Sequence, residues 1–409
     1  MANHHVTEAL GGWTGYSVGT VRRFEAGEKG TTPRVWIDLH RTDGPFVCSA
    51  CGRSCDKYHD HSERWVRDLP ILGAETHLCL PRFRVACPTC GPKLEHLPWL
   101  SKHARVTTRF AEHVAALCEV MSIKHVAALY RLSWNTVKVI DKASLQRRFG
   151  EPDLSNLTTL AIDEFAIQKG HRYATIFVDP TNKRVLWVCR GRSREEIRPF
   201  FEKLGPDRCA RIEAVAIDMS AAFEAEVRHQ CPNAAIVYDR FHIIAKYGRE
   251  VVDRVRGSEA RRDGNHREDR KLIKGSRWLL LRNKRDLGHH DRVRLKELLS
   301  INRRLATTYI LKDDLKQLWT YVYADAALRF WRGWYHRAVR SRIDPLKRFA
   351  RNLHDKIDGI LAHCVYPLHT SLLEGMNNKI KTLKRMAYGY RDDEYFFLKI
   401  RRAFPGNQG

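Results

Sequence analysis

Leu160-Ala-Ile-Asp-Glu-Phe-Ala-Ile-Gln-Lys-Gly-His-Arg-Tyr-Ala-Thr-Ile-Phe-Val178 decides how this chain is read. Two apolar runs flank Gln168-Lys169-Gly170, the pattern of two β-strands joined by a tight turn. Asp163 sits inside the first run, among Ala161, Ile162, Phe165 and Ile167. A carboxylate in so apolar a strand is costly to bury unless it is paired or holds a metal. Asp163 is therefore the first candidate metal ligand. Alternation turns its neighbour Glu164 to the opposite face.

The surrounding 409 residues suit about two or three domains. They carry 72 Lys and Arg against 47 Asp and Glu, a net charge of +25 and a pI of about 9.8. That excess suits a phosphate backbone, whose affinity is built from Lys and Arg contacts. A ribosome-associated or anionic-membrane protein would share it. No apolar run approaches the roughly 18 residues of a spanning helix, and Met1-Ala-Asn-His-His-Val-Thr-Glu8 lacks the regions of a signal peptide. Four of the 11 cysteines form two Cys-x-x-Cys pairs and the rest are scattered. This is the usage of a reducing, cytoplasmic compartment with one metal site, not of a disulfide framework.

Upstream of the opening stretch, residues 1–45 are mixed. Six glycines make the first thirty loop-like, and Val35–Leu39 reads as a strand; no chemistry is assigned there. Residues 46–100 carry Cys48-x-x-Cys51-Gly and Cys87-x-x-Cys90-Gly. Two such turns aim four thiolates at one point and predict a tetrahedral, structural Zn²⁺ with no position open for catalysis. The 35 residues between the pairs are filled by a predicted hairpin, 63–69 and 75–86. Cys55, Cys79, His59, His61 and His77 are the competing ligands. Over 106–149 the pattern is a helix (109–120), a short helix after Ser122, a three-residue turn, and a longer helix after Ser133. That is a helix-turn-helix, presenting Asn135, Thr136 and Lys138 to DNA base edges.

Downstream, residues 156–256 alternate. The opening hairpin is followed by strand 185–189, a helix opened by the capping box Ser193-x-x-Glu196, strand 212–217 ending at Asp218, helix 221–229, strand 235–238 and a helix from about Phe241. The order β-β-β-α-β-α-β-α is that of the ribonuclease H-like α/β fold, which places Asp163 and Asp218 on neighbouring strands. Glu164, Asp179 and Glu213 read as solvated or local turn groups. Residues 257–365 read as a basic helical insertion, with Arg261, Arg262 and Lys271 available to phosphates. Asp313–Tyr335 reads there as one long helix with Leu315, Leu318, Trp319, Val322 and Ala326 on its core face. Trp278, Trp331 and Trp334 are candidates for core packing or base stacking.

Residues 366–409 return to the core. From Ser371 a helix buries Leu373, Met376, Ile380 and Leu383, and aligns Glu374, Asn377, Asn378, Lys381 and Arg385 along a polar face. Glu374 reads equally as a metal ligand beside DNA-gripping side chains or as half of a Ser371-x-x-Glu374 capping box.

Three carboxylates on separate elements can hold two divalent cations, Mg²⁺ or Mn²⁺, for in-line displacement at phosphorus. At this point the chain resembles the DDE transposases of bacterial insertion sequences, of the ISL3 family. The resemblance runs from Cys48 to about Arg402. It rests on the two cysteine pairs with Arg82-Phe-Arg84, Ala161-Ile-Asp-Glu164, Ala216-Ile-Asp-Met-Ser220, Val237-Tyr-Asp-Arg-Phe-His242, Lys274-Gly-Ser-Arg-Trp-Leu-Leu280, Glu374-Gly-x-Asn377-Asn-Lys-Ile-Lys381 and Ala387-Tyr-Gly-Tyr390. It implies a catalytic triad of Asp163, Asp218 and Glu374, with 257–365 inserted before the last catalytic helix. It also implies a role for Asp239 and His242, which resemble a Cys/Asp-x-x-His element of insertion-bearing transposases; a structural histidine remains open. His369-Thr370-Ser371 departs from the Asn-Gly often seen before the Glu helix. The resemblance further implies binding to double-stranded DNA (terminal inverted repeats and target), a homo-oligomer on paired ends, no membrane, and action at the nucleoid. The rival readings are a zinc/helix-turn-helix repressor with an inactive core and a structure-specific nuclease without strand transfer.

Overall fold

The computed structural model describes residues 12–26, 32–168, 170, 172–262, 267–368 and 371–407. The chain divides into two compact units, Met1–Gly150 and Glu151–Gly409. In the first, strand formation begins earlier than expected. Tyr16–Phe24 (β1) lies in the glycine-rich start, with Tyr16 and Val18 buried. Gly19 does not mark a loop there: a Cβ would meet the His40 ring at 2.2 Å, so the residue permits close approach of the neighbouring strand. That neighbour is Arg34–Arg41 (β2), antiparallel to β1. Phe46–Val47 (β3) and Ser54–Cys55 (β4) form a small ladder. Tyr58–Ile71 (β5) and Ala74–Cys87 (β6) form the expected hairpin, longer than its apolar runs suggest, and Gly91–Leu94 (β7) pairs with β6. The sheet order β1-β2-β6-β5 puts the N-terminal strands and the cysteine-bearing hairpin in one sheet.

Thr108–Leu117 (α1), Ile123–Tyr130 (α2) and Trp134–Phe149 (α3) follow. Ser122 and Ser133 cap α2 and α3, accepting from the His125 and Thr136 N–H groups. Helix α1 ends three residues before Val120, which is therefore exposed and not on an apolar face. Asp68, fully buried on β5, binds this bundle to the sheet. It accepts from Trp13 Nε1 (2.8 Å), Thr107 Oγ1 (2.6 Å) and Arg109 Nε (2.8 Å). Nothing in the sequence pattern singles it out.

The second unit is built on Thr159–Gln168 (β8), Arg172–Asp179 (β9), Arg184–Arg190 (β10), Arg194–Leu204 (α4), Ala214–Ile217 (β11), Ala221–Gln230 (α5), Ala235–Tyr238 (β12) and Arg240–Tyr247 (α6). The sheet order is β10-β9-β8-β11-β12, with β9 antiparallel to both neighbours and β8, β11 and β12 parallel. Leu160 and Ile162 pack on one face with Ile197, Phe200 and Phe223; Ala161, Phe165 and Ile167 pack on the other with Leu373, Met376 and Phe396. Both faces are buried, so the strands read as continuous apolar runs. Asp179 is a local turn group, accepting from the Thr181 and Asn182 N–H groups.

A π-helical stretch, Gly248–Val252, continues α6 into Asp253–Arg261 (α7), followed by Arg267–Gly275 (α8), Arg277–Leu281 (α9), His289–Ile301 (α10), Arg303–Gln317 (α11), Ala324–Arg340 (α12), Asp344–His354 (α13), Ser371–Met386 (α14) and Asp393–Ala403 (α15). One apolar cluster runs from Leu160 and Ile217 of the sheet to Leu315, Trp331, Trp334 and Ile360, so the inserted helices share the core. The single helix expected over 313–335 is broken. It tightens into a 3₁₀ turn at Leu318–Thr320, and Val322 is exposed. The break resets the helical phase so that Ala327, Trp331, Trp334 and Ala338 turn inward together.

Glu226 on α5 is fully buried and anchors α4 through Arg194 (3.0 Å) and Arg198 (3.0 Å). Burial alone would push its carboxyl up, but hydrogen bonds from Arg198, Gln230 and Arg194 reverse this and hold it at about 2. A depressed carboxylate stabilises the fold above its unfolded value, roughly 4.3, and loses that contribution as pH falls toward 2. Glu226→Gln is expected to lower stability at pH 7 by about 1–3 kcal/mol and to flatten the acid limb of a melting-temperature profile. An unchanged profile would refute the assignment.

Candidate active site and nucleic-acid interface

Strands β8, β11 and β12 run in step. Ala161 lies beside Ala216, and Ala216 beside Val237. Two residues further along each chain, Asp163, in the middle of β8, comes level with Asp218 and Asp239, which directly follow the carboxyl ends of β11 and β12. Asp163 and Asp239 are buried, Asp218 half-buried. Each carboxylate is oriented by a backbone amide: Asp163 by Glu164 N–H (2.8 Å), Asp218 by Ser220 N–H (2.8 Å), Asp239 by Phe241 N–H (2.7 Å). His242, in the first turn of α6, places Nε2 3.8 Å from Asp163 Oδ1 and 3.7 Å from Asp239 Oδ2. Burial pushes the Asp163 carboxyl up to about 6; Asp218 and Asp239 add to the rise, while His242 and the Glu164 N–H oppose it. Burial raises Asp218 too, with Glu164 and Asp239 adding.

Helix α14 lies on the Asp163 side of the sheet. Leu373, Met376 and Ile380 bury against it and set the helix phase. Asn377 then meets the site: its Nδ2 donates to Asp163 Oδ2 at 2.7 Å. The polar-face pattern offers Asn377 to DNA and does not display this contact with the carboxylate. Glu374 stands one turn earlier on the same side and is exposed. Its carboxylate, Asp163 and Asp218 do not all close to within 4.8 Å; the cysteine cluster below is the one such group among the described residues. Asn378, Lys381 and Arg385 are exposed along the same helix. His369, Thr370 and the Ser371 side chain, and with them the capping-box reading of Ser371 and Glu374, lie outside the described residues.

A cleft of about 570 Å³ opens beside the row, bordered by Glu164, Arg192, Asp218, His242, Lys246 and Arg249 among others. Alternation does turn Glu164 away from Asp163, yet it borders the cleft with Asp218 and is held by Arg192 Nη1 at 3.0 and 3.1 Å. Its adjacency to Asp163 was the only signal for it, and Arg192 had none. The residues fit a divalent cation. Asn377 Oδ1 is buried beside Asp163 with no hydrogen-bond partner, and the donor set is hard oxygen under mutual repulsion.

In the first unit, Cys48, Cys51, Cys87 and Cys90 bring their sulfurs within 4.8 Å of one another. Cys51 and Cys87 are 3.7 Å apart, against roughly 3.8 Å for the corners of a tetrahedron with ~2.3 Å bonds. Gly52 (φ +71) and Gly91 (φ +68) take the left-handed conformation that ends each turn. The Cys90 N–H pulls the Cys87 thiol down to about 6 against its burial. The competing residues Cys55, Cys79, His59, His61 and His77 are not in the cluster. On α3, Asn135 is exposed and Lys138 lies over the Trp134 ring at 5.8 Å. Thr136 is half-buried, its hydroxyl 2.8 Å from that of Ser133. Arg261, Arg262 and Lys271 are exposed on the helical part of the second unit, with Arg262 3.7 Å from Glu259.

A zinc ribbon and helix-turn-helix ahead of a mixed α/β core, with aspartates level on adjoining strands, define a DNA-rearranging enzyme of the transposase class. A family model described as a transposase, of the ISL3 type, matches residues 160–400. A helix-turn-helix domain of transposase family ISL3 matches 95–144, and a zinc-finger of transposase IS204/IS1001/IS1096/IS1165 matches 44–90. The transposase for insertion sequence element IS1001 of Bordetella parapertussis is 49% identical over 408 residues, 100% of each chain. The transposase for insertion sequence element IS1557 of Mycobacterium tuberculosis is 30% identical over 389 residues, 88% of this chain and 86% of that one. The chain belongs to the ISL3 family of DDE transposases. Among the described residues no helix is long and apolar enough to cross a membrane.

Proposed function

We propose that the second unit is a ribonuclease H-like core in which Asp163, Asp218 and Glu374 hold two Mg²⁺ or Mn²⁺ ions for cleavage and transfer of DNA strands. The sheet order, with only β9 reversed, supports the fold. The observation that carries the site is the Asn377–Asp163 hydrogen bond, which ties the helix bearing Glu374 to the aspartate row. The cations, when bound, supply activation of the attacking oxygen and stabilisation of the leaving one. The chain's own groups do the rest. Asn377 fixes the rotamer of Asp163. His242, between Asp163 and Asp239, offers a proton or a hydrogen bond at the edge of the cleft. Lys246 and Arg249 line the cleft and attract the scissile phosphate.

In this reading the zinc ribbon and helix-turn-helix bind the terminal inverted repeats, with Asn135, Thr136 and Lys138 at base edges. Arg261, Arg262, Lys271, Asn378, Lys381 and Arg385 take backbone phosphates of end and target DNA. Hydrolysis at the element end exposes a 3′-hydroxyl, which then attacks the target. The complex is a homo-oligomer on paired ends, working in the cytoplasm at the nucleoid.

Incubation of wild type with double-stranded DNA bearing the element's own ends, with and without Mg²⁺, tests this. Metal-dependent nicking and joined products are expected, and Glu374→Gln is expected to lose both while binding ends as wild type does. Binding without metal-dependent cleavage by wild type would sink the proposal in favour of a repressor. Cleavage without joining would favour a nuclease.

A further inference from the structure

Arg192 is held more firmly than an exposed arginine needs to be. Its side chain is 52% exposed, and an ion pair with Glu164 at that exposure adds little to stability. Yet the turn between β10 and α4 is fixed from several directions. The Gly191 N–H donates to the Tyr173 carbonyl (2.8 Å), and the Thr175 hydroxyl donates to the Gly191 carbonyl (2.7 Å). Glu196 Oε2 accepts from the Arg192 and Ser193 N–H groups at 2.8 and 2.9 Å. Gly191 takes φ +78, and a Cβ on it would overlap the Glu196 carboxylate, so only glycine leaves room for that anchor. The guanidinium itself lies over the Tyr173 ring at 4.3 Å.

What the turn presents is one edge of a guanidinium. Both Glu164 oxygens sit on Nη1, at 3.0 and 3.1 Å, and among the described residues Nε and Nη2 donate to no partner. That edge carries two parallel N–H groups, the fork that meets two oxygens of one phosphate. It borders the same cleft as Asp218. Hydrogen bonding to Glu164 holds the guanidinium above its ordinary pKa, with Asp218 adding, so the charge is permanent. The other cations of the cleft, Lys246 and Arg249, come from α6 and the π-helical stretch after it. Strands β10 and β12 are the two edges of the sheet, and β11, which leads into Asp218, lies between them. Arg192 follows β10, and α6 follows β12. Cations delivered from both sides of Asp218 suit successive phosphates of a nucleic-acid strand and not one small anion, which would need them to converge.

We propose that Arg192 grips the phosphate next to the scissile one, on the side away from Lys246 and Arg249, and so holds the DNA strand in line over Asp218. The assignment deepens the strand-transfer reading and rests on it. Full-length protein is given Mg²⁺ and duplexes bearing the element's own ends, in which one phosphate at a time near the cleavage position is a neutral methylphosphonate. Single-turnover nicking by wild type is expected to fall roughly 10- to 100-fold at one phosphate adjoining the scissile one. Arg192→Ala is expected to nick unmodified DNA more slowly by a similar factor and to lose nothing further at that phosphate, because charge and partner act as one pair. At other sensitive phosphates its losses should match those of wild type. Arg192→Lys keeps the charge without the fork, and should recover part of the rate and part of the sensitivity. Because the side chain is exposed, melting temperatures should match wild type. A purely structural ion pair would instead make the two losses multiply. Multiplying losses at every phosphate, wild-type nicking of unmodified DNA by Arg192→Ala, or a wild type indifferent to methylphosphonates beside the scissile position would each overturn the assignment while leaving the strand-transfer reading standing. Absence of Mg²⁺-dependent nicking by wild type would overturn both.

Discussion

Asp163→Asn is expected to abolish Mg²⁺-dependent cleavage of end-bearing DNA, a loss of roughly a thousandfold or more, while end binding stays at the wild-type level. Asparagine keeps the shape of the side chain and can still meet Asn377 and the Glu164 N–H. What it removes is the charge on which cation binding depends. The same change should stabilise the metal-free fold. Burial, with Asp218 and Asp239, lifts the Asp163 carboxyl to about 6, above its ordinary value. A group whose folded value is raised contributes stability below its unfolded value and loses it as pH rises through the folded one. At pH 7 wild-type Asp163 is therefore ionised at a cost that Asn does not bear. An equal or higher melting temperature without metal, no activity, and no stabilisation by added Mg²⁺ form the expected signature. A lower melting temperature with residual metal-dependent cutting would assign Asp163 to structure.

The pairing of lost activity with gained stability separates a site residue from a core residue, and the rest of the chain shows why that matters. Asp68 is as buried as Asp163 and sits in a strand too, but Arg109 and Thr107 meet it directly. It joins sheet to helix, and its carboxylate is met by donors from Trp13, Thr107 and Arg109. Asp163 instead faces Asp218, Asp239 and an orphaned amide oxygen. Periodicity cannot distinguish the two, because both are a carboxylate in a strand. The difference lies in what other elements bring to them.

Local pattern did carry much of the fold. The strands 159–179 and 235–238, the serine caps of α2 and α3, and the capping box at Ser193 all follow from side-chain spacing and local hydrogen bonds, which a sequence displays. Three features did not. The strand at Tyr16–Phe24 was hidden by glycines, one of which is required by a neighbouring histidine ring. The break at Leu318 was hidden because the apolar residues on either side each fit a helix, and only packing fixes their relative phase. The register that levels Asp163, Asp218 and Asp239 depends on three strands spread over some eighty residues. Asp239 therefore enters only through resemblance, and the pattern that places Asn377 on the polar face of its helix does not display its contact with Asp163.

Cys87→Ser carries the other large effect, and its logic is the reverse of that at Asp163. Here the metal is the core. The pocket around the cysteines contains Cys48, Cys55, Val85 and Cys87, with Phe46 and Cys90 at its edge. So few apolar groups cannot hold two turns and the β3–β4 ladder in place; zinc–thiolate bonds, on the order of 10 kcal/mol as folding energy, can. Wild type is expected to carry one zinc per chain. Cys87→Ser should lose it and weaken binding to the element ends about a hundredfold or more, because the ribbon shares its sheet with β5, whose Asp68 anchors the helix-turn-helix. Cys55→Ser is the control: its thiol lies in the same small core but outside the sulfur tetrahedron, so zinc content should be unchanged. The effect should also stop at the first unit, leaving metal-dependent nicking of non-specific DNA at high protein concentration. Zinc-free wild type together with intact end binding by Cys87→Ser would show that the four thiols are core packing and not a metal site.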